Sequence, residues 1–97
     1  MSEQEQVEKV LTGIPRPPFV AEIRHLLDTD HDGDPAVRIW VIFDDGTAAS
    51  PKFLTRTEQV RSVIVEALRE AEIDRWPYVR FRGQSEQAKL DRAEAAP

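Results

Sequence analysis

Four aspartates, Asp28, Asp30, Asp32 and Asp34, stand at alternate positions in the stretch DTDHDGD. Alternate carboxylates on a curling loop can converge on one hard cation, and a glycine such as Gly33 permits the sharp bend this needs. Asp28, Asp30, Asp32 and Gly33 match the opening of the EF-hand pattern Asp-x-Asp-x-Asp-Gly. The second half departs from it: the twelfth position, where a bidentate glutamate would close the shell, is Ile39, and the eighth is Pro35. That rules out an EF-hand. Two readings remain. One is a looser Ca2+ or Mg2+ site made of Asp28, Asp30, Asp32 and Asp34 with water. The other is a solvated acidic turn, the ordinary use of Asp and Gly in tight backbone. The crowded negative charge could also grip an arginine-bearing partner.

Beyond this loop, chemistry-bearing residues are sparse. With no cysteine, thiolate catalysis, disulfides and cysteine-ligated metals are excluded. His25 and His31 have no His-x-x-x-His spacing. Ser50, Ser62 and Ser85 sit outside any nucleophile-elbow context, and there is no glycine-rich phosphate loop. His31 between Asp30 and Asp32 is the nearest approach to an acid–base pair, and a solvated loop histidine is its ordinary reading. A non-enzymatic protein without a resident cofactor is expected.

A second constellation is cationic and aromatic. Arginines outnumber lysines ten to three in a chain whose net charge is −5. That net charge argues against bulk affinity for duplex nucleic acid or anionic lipid. Several arginines fall beside aromatic residues at strand spacing, in "VRIWVIF" and "WPYVRFR". Whether they share a surface depends on the elements that carry them.

The chain has 97 residues, 40% apolar and 32% charged, enough for one modest core. Residues 1–83 read as one small α/β domain. No apolar run approaches membrane-spanning length, and the N-terminus lacks a leader pattern, so the cytoplasm is the expected compartment. Residues 3–12 place Val7, Val10, Leu11 and Ile14 at helical spacing, with Ser2 as N-cap. Gly13 and Pro15 end that helix, and Pro15 to Pro18 form a stiff connector. Residues 36–43, AVRIWVIF, read as a strand. Residues 19–27 read as its partner, joined through loop 28–35 as a wide hairpin. Thr55 and Glu58 have capping-box spacing, and Val60, Val63, Ile64, Ala67, Leu68 and Ala71 then trace an amphipathic helix. Tyr78 to Arg82 is a last strand, entered through Pro77. Residues 84–97, with Leu90 alone among large apolar residues, read as a disordered polar tail.

The expected fold is therefore α+β: a two-layer α/β sandwich of order α-β-β-α-β, with helices on one face of a three-stranded sheet. In element order it is similar to the cysteine-bearing scaffold domains of iron–sulfur cluster assembly and to one form of the KH RNA-binding module. The Cys-x-x-Cys of the first and the Gly-x-x-Gly loop of the second are both absent from this sequence. Neither function carries over.

Alternation along the strands then sorts their side chains. Ile23, Leu27, Val37, Ile39, Val41, Phe43, Val79 and Phe81 belong under the helices. Arg24, Arg38, Trp40, Tyr78, Arg80 and Arg82 share the reverse side with Glu22, Leu26 and Ile42. A face rich in Trp, Tyr and Arg suits a protein partner or self-association. Its alternative use is single-stranded nucleic acid, with bases stacked on rings and phosphates on arginines. A third use is none, with arginine stems merely solubilising the rings.

Overall fold

The computed structural model describes residues 2–95. Helix α1 spans Glu3–Gly13 and strand β1 spans Val20–Thr29. Strand β2 is Pro35–Phe43, the short helix α2 is Asp45–Ala48, and α3 is Phe53–Glu70. Strand β3 is Trp76–Gly83 and α4 is Gln84–Ala95. The sheet runs β1-β2-β3, with β1 and β2 antiparallel and β2 and β3 parallel. The α-β-β-α-β order expected from sequence stands, in a compact α+β fold. Two further helices, α2 and α4, are added to it.

Ser2 caps α1 as its chemistry predicts, its Oγ accepting the Glu5 N–H at 3.2 Å. The strand period of β2 delivers Val37, Ile39, Val41 and Phe43 to one side, all fully buried. There they meet Val7 and Leu11 of α1 and Val60, Ile64 and Leu68 of α3 in a single core. Phe43 is the aromatic centre, with Phe19, Phe53 and Phe81 ringed around it at 5.3, 5.8 and 5.6 Å.

The start of α3 differs from expectation. The helix begins at Phe53 behind Lys52, which makes no side-chain cap, so Thr55 already lies inside it. The turn 49–52 supplies the first α3 contacts through backbone, with Phe53 N–H donating to Ser50 O at 3.0 Å. The Thr55–Glu58 capping box is therefore not formed.

Arg75, at the entry to β3, fastens three segments at one corner. Its Nη1 donates to Asp28 O and to Ala36 O, both at 2.9 Å, and its Nη2 lies 2.9 Å from Glu3 Oε1. The guanidinium holds the Glu3 carboxyl below its ordinary pKa, chiefly through that hydrogen bond.

Residues 84–95 are helical, where a disordered tail was expected; 96–97 lie outside the described residues. Helix α4 packs on β3 and β2 from the side opposite α1 and α3. Polar contacts hold it. Ser85 donates from N and Oγ to Asp45 at 3.0 and 2.6 Å, and Arg82 Nη1 donates to Gln87 Oε1 at 3.0 Å. Asp91 receives both Nη groups of Arg24 at 3.0 Å and the Gln87 amide at 2.9 Å. Helices thus occupy both faces, although one face alone carries the core.

Candidate functional site: the reverse face of the sheet

Register brings the predicted residues together. Arg24 pairs across to Trp40 and Trp40 to Arg80, while Leu26 pairs to Arg38 and Arg38 to Tyr78. Glu22, Ile42 and Arg82 form the next row. All of Arg24, Arg38, Trp40, Tyr78, Arg80 and Arg82 stand on the side away from the core, as alternation requires.

Helix α4 divides this face in two. Over the Glu22–Ile42–Arg82 row it leaves Ile42 2% exposed. Arg24, held by Glu22 at 2.8 Å and by Asp91, and Arg82, held by Gln87, serve as its anchors. The Asp91 carboxyl is held down at about 2 by hydrogen bonds from Arg24 and then Gln87. These two arginines are committed within the chain, which sequence alone left open.

The other half remains open. Trp40 and Tyr78 are half-buried, and Arg38 sits 5.6 Å from the Tyr78 ring centre while its Nε donates to Asp28 Oδ2 at 3.0 Å. Arg80 is exposed and makes no ion pair among the described residues. Arg38, Trp40, Tyr78 and Arg80 line a shallow cleft of about 120 Å³. Two apolar residues join them. Leu26 is 51% exposed, and Trp76, level with Ala36 one step before Tyr78 on the same side of β3, is 65% exposed. The sequence reading started this strand after Pro77 and so missed Trp76. Continuing the two-residue period back from Tyr78 would have found it.

The acidic loop is a tight hairpin turn, not the wide connection expected. Pairing continues to Thr29 and Pro35. Gly33 N–H donates to Asp30 O and Asp30 N–H to Asp34 O, both at 2.9 Å, and Gly33 has φ +85°. This is a three-residue connection with glycine in the left-handed position, a form that draws on Asp and Gly. Asp30 is its organiser. One carboxylate oxygen accepts the N–H of Asp32 at 2.9 Å and of Asp34 at 3.0 Å, and the other accepts the Tyr78 hydroxyl at 3.3 Å. The backbone N–H of Asp34 is the first cause of its lowered pKa. Burial and then Asp30 raise that of Tyr78.

Asp30, Asp32 and Asp34 bring carboxylate oxygens within 4.8 Å of one another. Asp28 lies outside that group, since it accepts the Thr29 N–H at 2.8 Å and pairs with Arg38. Both oxygens of Asp30 are engaged by protein donors, so the donor set fits a turn better than a cation. His31 lies 3.5 Å from Asp32 and is exposed, and His25 contacts Gln4 Nε2 at 2.9 Å.

An apolar groove of about 940 Å³ runs between α1 and α3, lined by Val10, Ile14, Val63, Ala67 and Ile73. Its lining carries charge only at the rim, in Lys9, Glu66 and Glu70. Set against protein-family models, curated proteins and solved structures, the chain matches none.

Proposed function

We propose that this chain is a non-enzymatic interaction module that binds another protein, or its own copy, through the open half of the reverse sheet face. The observation that carries the reading is the exposure of Trp76 and Leu26 beside half-buried Trp40 and Tyr78, on a face that also carries Arg24, Arg38, Arg80 and Arg82. Large apolar side chains grouped around arginine are the composition of interface hot spots, where rings lose water and guanidinium groups find acceptors. Arg80 is free of ion pairs among the described residues, and the acidic turn beside Tyr78 offers the opposite charge.

The nucleic-acid alternative is less well supported. Arg24, Arg38 and Arg82 already have acceptors within the chain, which leaves Arg80 to meet phosphate.

The test is capture of partners from native lysate by the full chain and by Trp76→Ala/Trp40→Ala, each with and without nuclease and at two salt concentrations. The expected result is a nuclease-resistant protein partner retained at high salt and lost in the double variant, whose circular dichroism matches that of the parent. Retention of the same partners by the folded double variant would refute the reading. Binding that disappears with nuclease or collapses with salt would transfer the face to single-stranded nucleic acid.

A further inference from the structure

The sheet has two edges, and the chain treats them differently. At the β3 edge Pro77 interrupts the row of backbone donors, a common device against unwanted pairing. At the other edge β1 runs ten residues without a proline and is hydrogen-bonded on one side only, to β2.

Which β1 groups point outward follows from two observations. Pro35, opposite Thr29, has no N–H to give. Asp28 O and Ala36 O both lie 2.9 Å from the same Arg75 nitrogen, so these carbonyls converge between the strands. Asp28/Ala36 is therefore a hydrogen-bonded pair, and alternation makes Leu26/Arg38 and Arg24/Trp40 the next ones. The N–H and C=O groups of Ile23, His25 and Leu27 face away from β2, with no backbone partner among the described residues. Such a row is chemically complementary to one kind of ligand, another extended strand.

We propose that the β1 edge pairs antiparallel with β1 of a second copy, joining two sheets into one of six strands about a two-fold axis at Leu26. Charge and free backbone groups together select this register; an axis at Leu27 would pair His25 with Thr29 of the second copy, whose N–H already donates to Asp28 Oδ1. An axis at Arg24 sets two guanidinium groups face to face, and one at His25 sets Glu22 opposite Asp28 of the second copy. An axis at Ile23 runs into the register shift between Val20 and Glu22. With the axis at Leu26, this half-exposed side chain packs on its own symmetry mate and Arg24 stands opposite Asp28 of the second copy. His25 then exchanges N–H···O bonds with Leu27 of the second copy. Thr29 ends the row, because its N–H already donates to Asp28 Oδ1.

Sedimentation equilibrium of the full chain from micromolar to submillimolar concentration tests this. A reversible dimer is expected. His25→Pro removes an outward donor without touching the β1–β2 ladder, and should raise the dimer dissociation constant roughly tenfold or more, as two lost hydrogen bonds per dimer imply. His25→Ala keeps the N–H and should leave the constant within about twofold. Leu26→Arg places two cations at the axis and should weaken the dimer as His25→Pro does; if His25→Pro fails to fold, this variant decides together with Trp40→Ala, because Leu26 also borders the reverse-face patch. Trp40→Ala should leave the dimer intact, which separates this edge from the reverse-face site. A chain monomeric at every concentration overturns the proposal. So does a dimer indifferent to Leu26→Arg, or one that Trp40→Ala alone dissolves.

Discussion

The two faces of the sheet are built on opposite principles. Beneath α1 and α3, side chains from all three strands close on Phe43 and exclude water. On the reverse, Ala36 and Ile42 are sealed, and the side-chain bonds that hold α4 there come from Arg24, Arg82 and Asp45. Burial of apolar area is non-directional and tolerates approximate fit, whereas ion pairs and amide bonds demand particular partners and contribute little each when exposed. The first face holds the fold together. The second leaves large side chains in water.

The largest effect should come from the core face. Phe43→Ala removes the ring around which Phe19, Phe53 and Phe81 pack. It should cost about 3–5 kcal/mol in denaturant unfolding, enough to unfold a domain of ordinary stability. On the reverse face Trp40→Ala should cost only about 1–2 kcal/mol, because the ring is half in water already. Equal losses at the two positions would erase the contrast.

Next is the turn that keeps each strand's residues on their proper side. Gly33→Ala forces a side chain into φ +85° and should cost about 1 kcal/mol. A one-residue slip there would exchange the two faces entirely, so cross-strand NMR contacts between Arg24 and Trp40 should persist in the variant.

Smallest is the acid response of α4. The folded pKa of Asp91 is depressed from 3.8 to about 2, so its contribution is present above 3.8 and lost as pH falls through about 2. Backbone amide shifts of Gln87 and Leu90 should move over that window in the parent chain. Asp91→Asn should loosen α4 at neutral pH and flatten its response, with core amides unchanged in both.

How far these faces could be read in advance depended on the kind of force at work. The β2 alternation and the α3 stripe were legible because burial writes itself into residue type at a fixed period. Ser2 was legible as a cap because the partner it needs lies three residues away. The C-terminal helix was not, since Leu90 is its one large apolar residue and its anchors, Arg24 and Asp45, lie far back in the sequence. A local Thr-x-x-Glu motif misplaced the start of α3, because the connection ahead of it already fixed the first turn. The aspartate run reads in sequence as a loose cation site or as a solvated turn, and what sequence could not supply is that Asp30 gives its oxygens to the backbone N–H groups of Asp32 and Asp34 and to Tyr78.

The Arg75 corner bears on how the chain reaches this state. Its contacts span 47 residues to Asp28 and 39 to Ala36, with Glu3 farther still. A guanidinium with such distant acceptors cannot make these bonds until the hairpin, the crossover helix and the amino-terminal helix have all arrived. Few of its bonds form early, and the entropy of closing long loops must be met first. Folding should therefore be slow for a domain of this size and nearly all-or-none, with the corner closing among the last events.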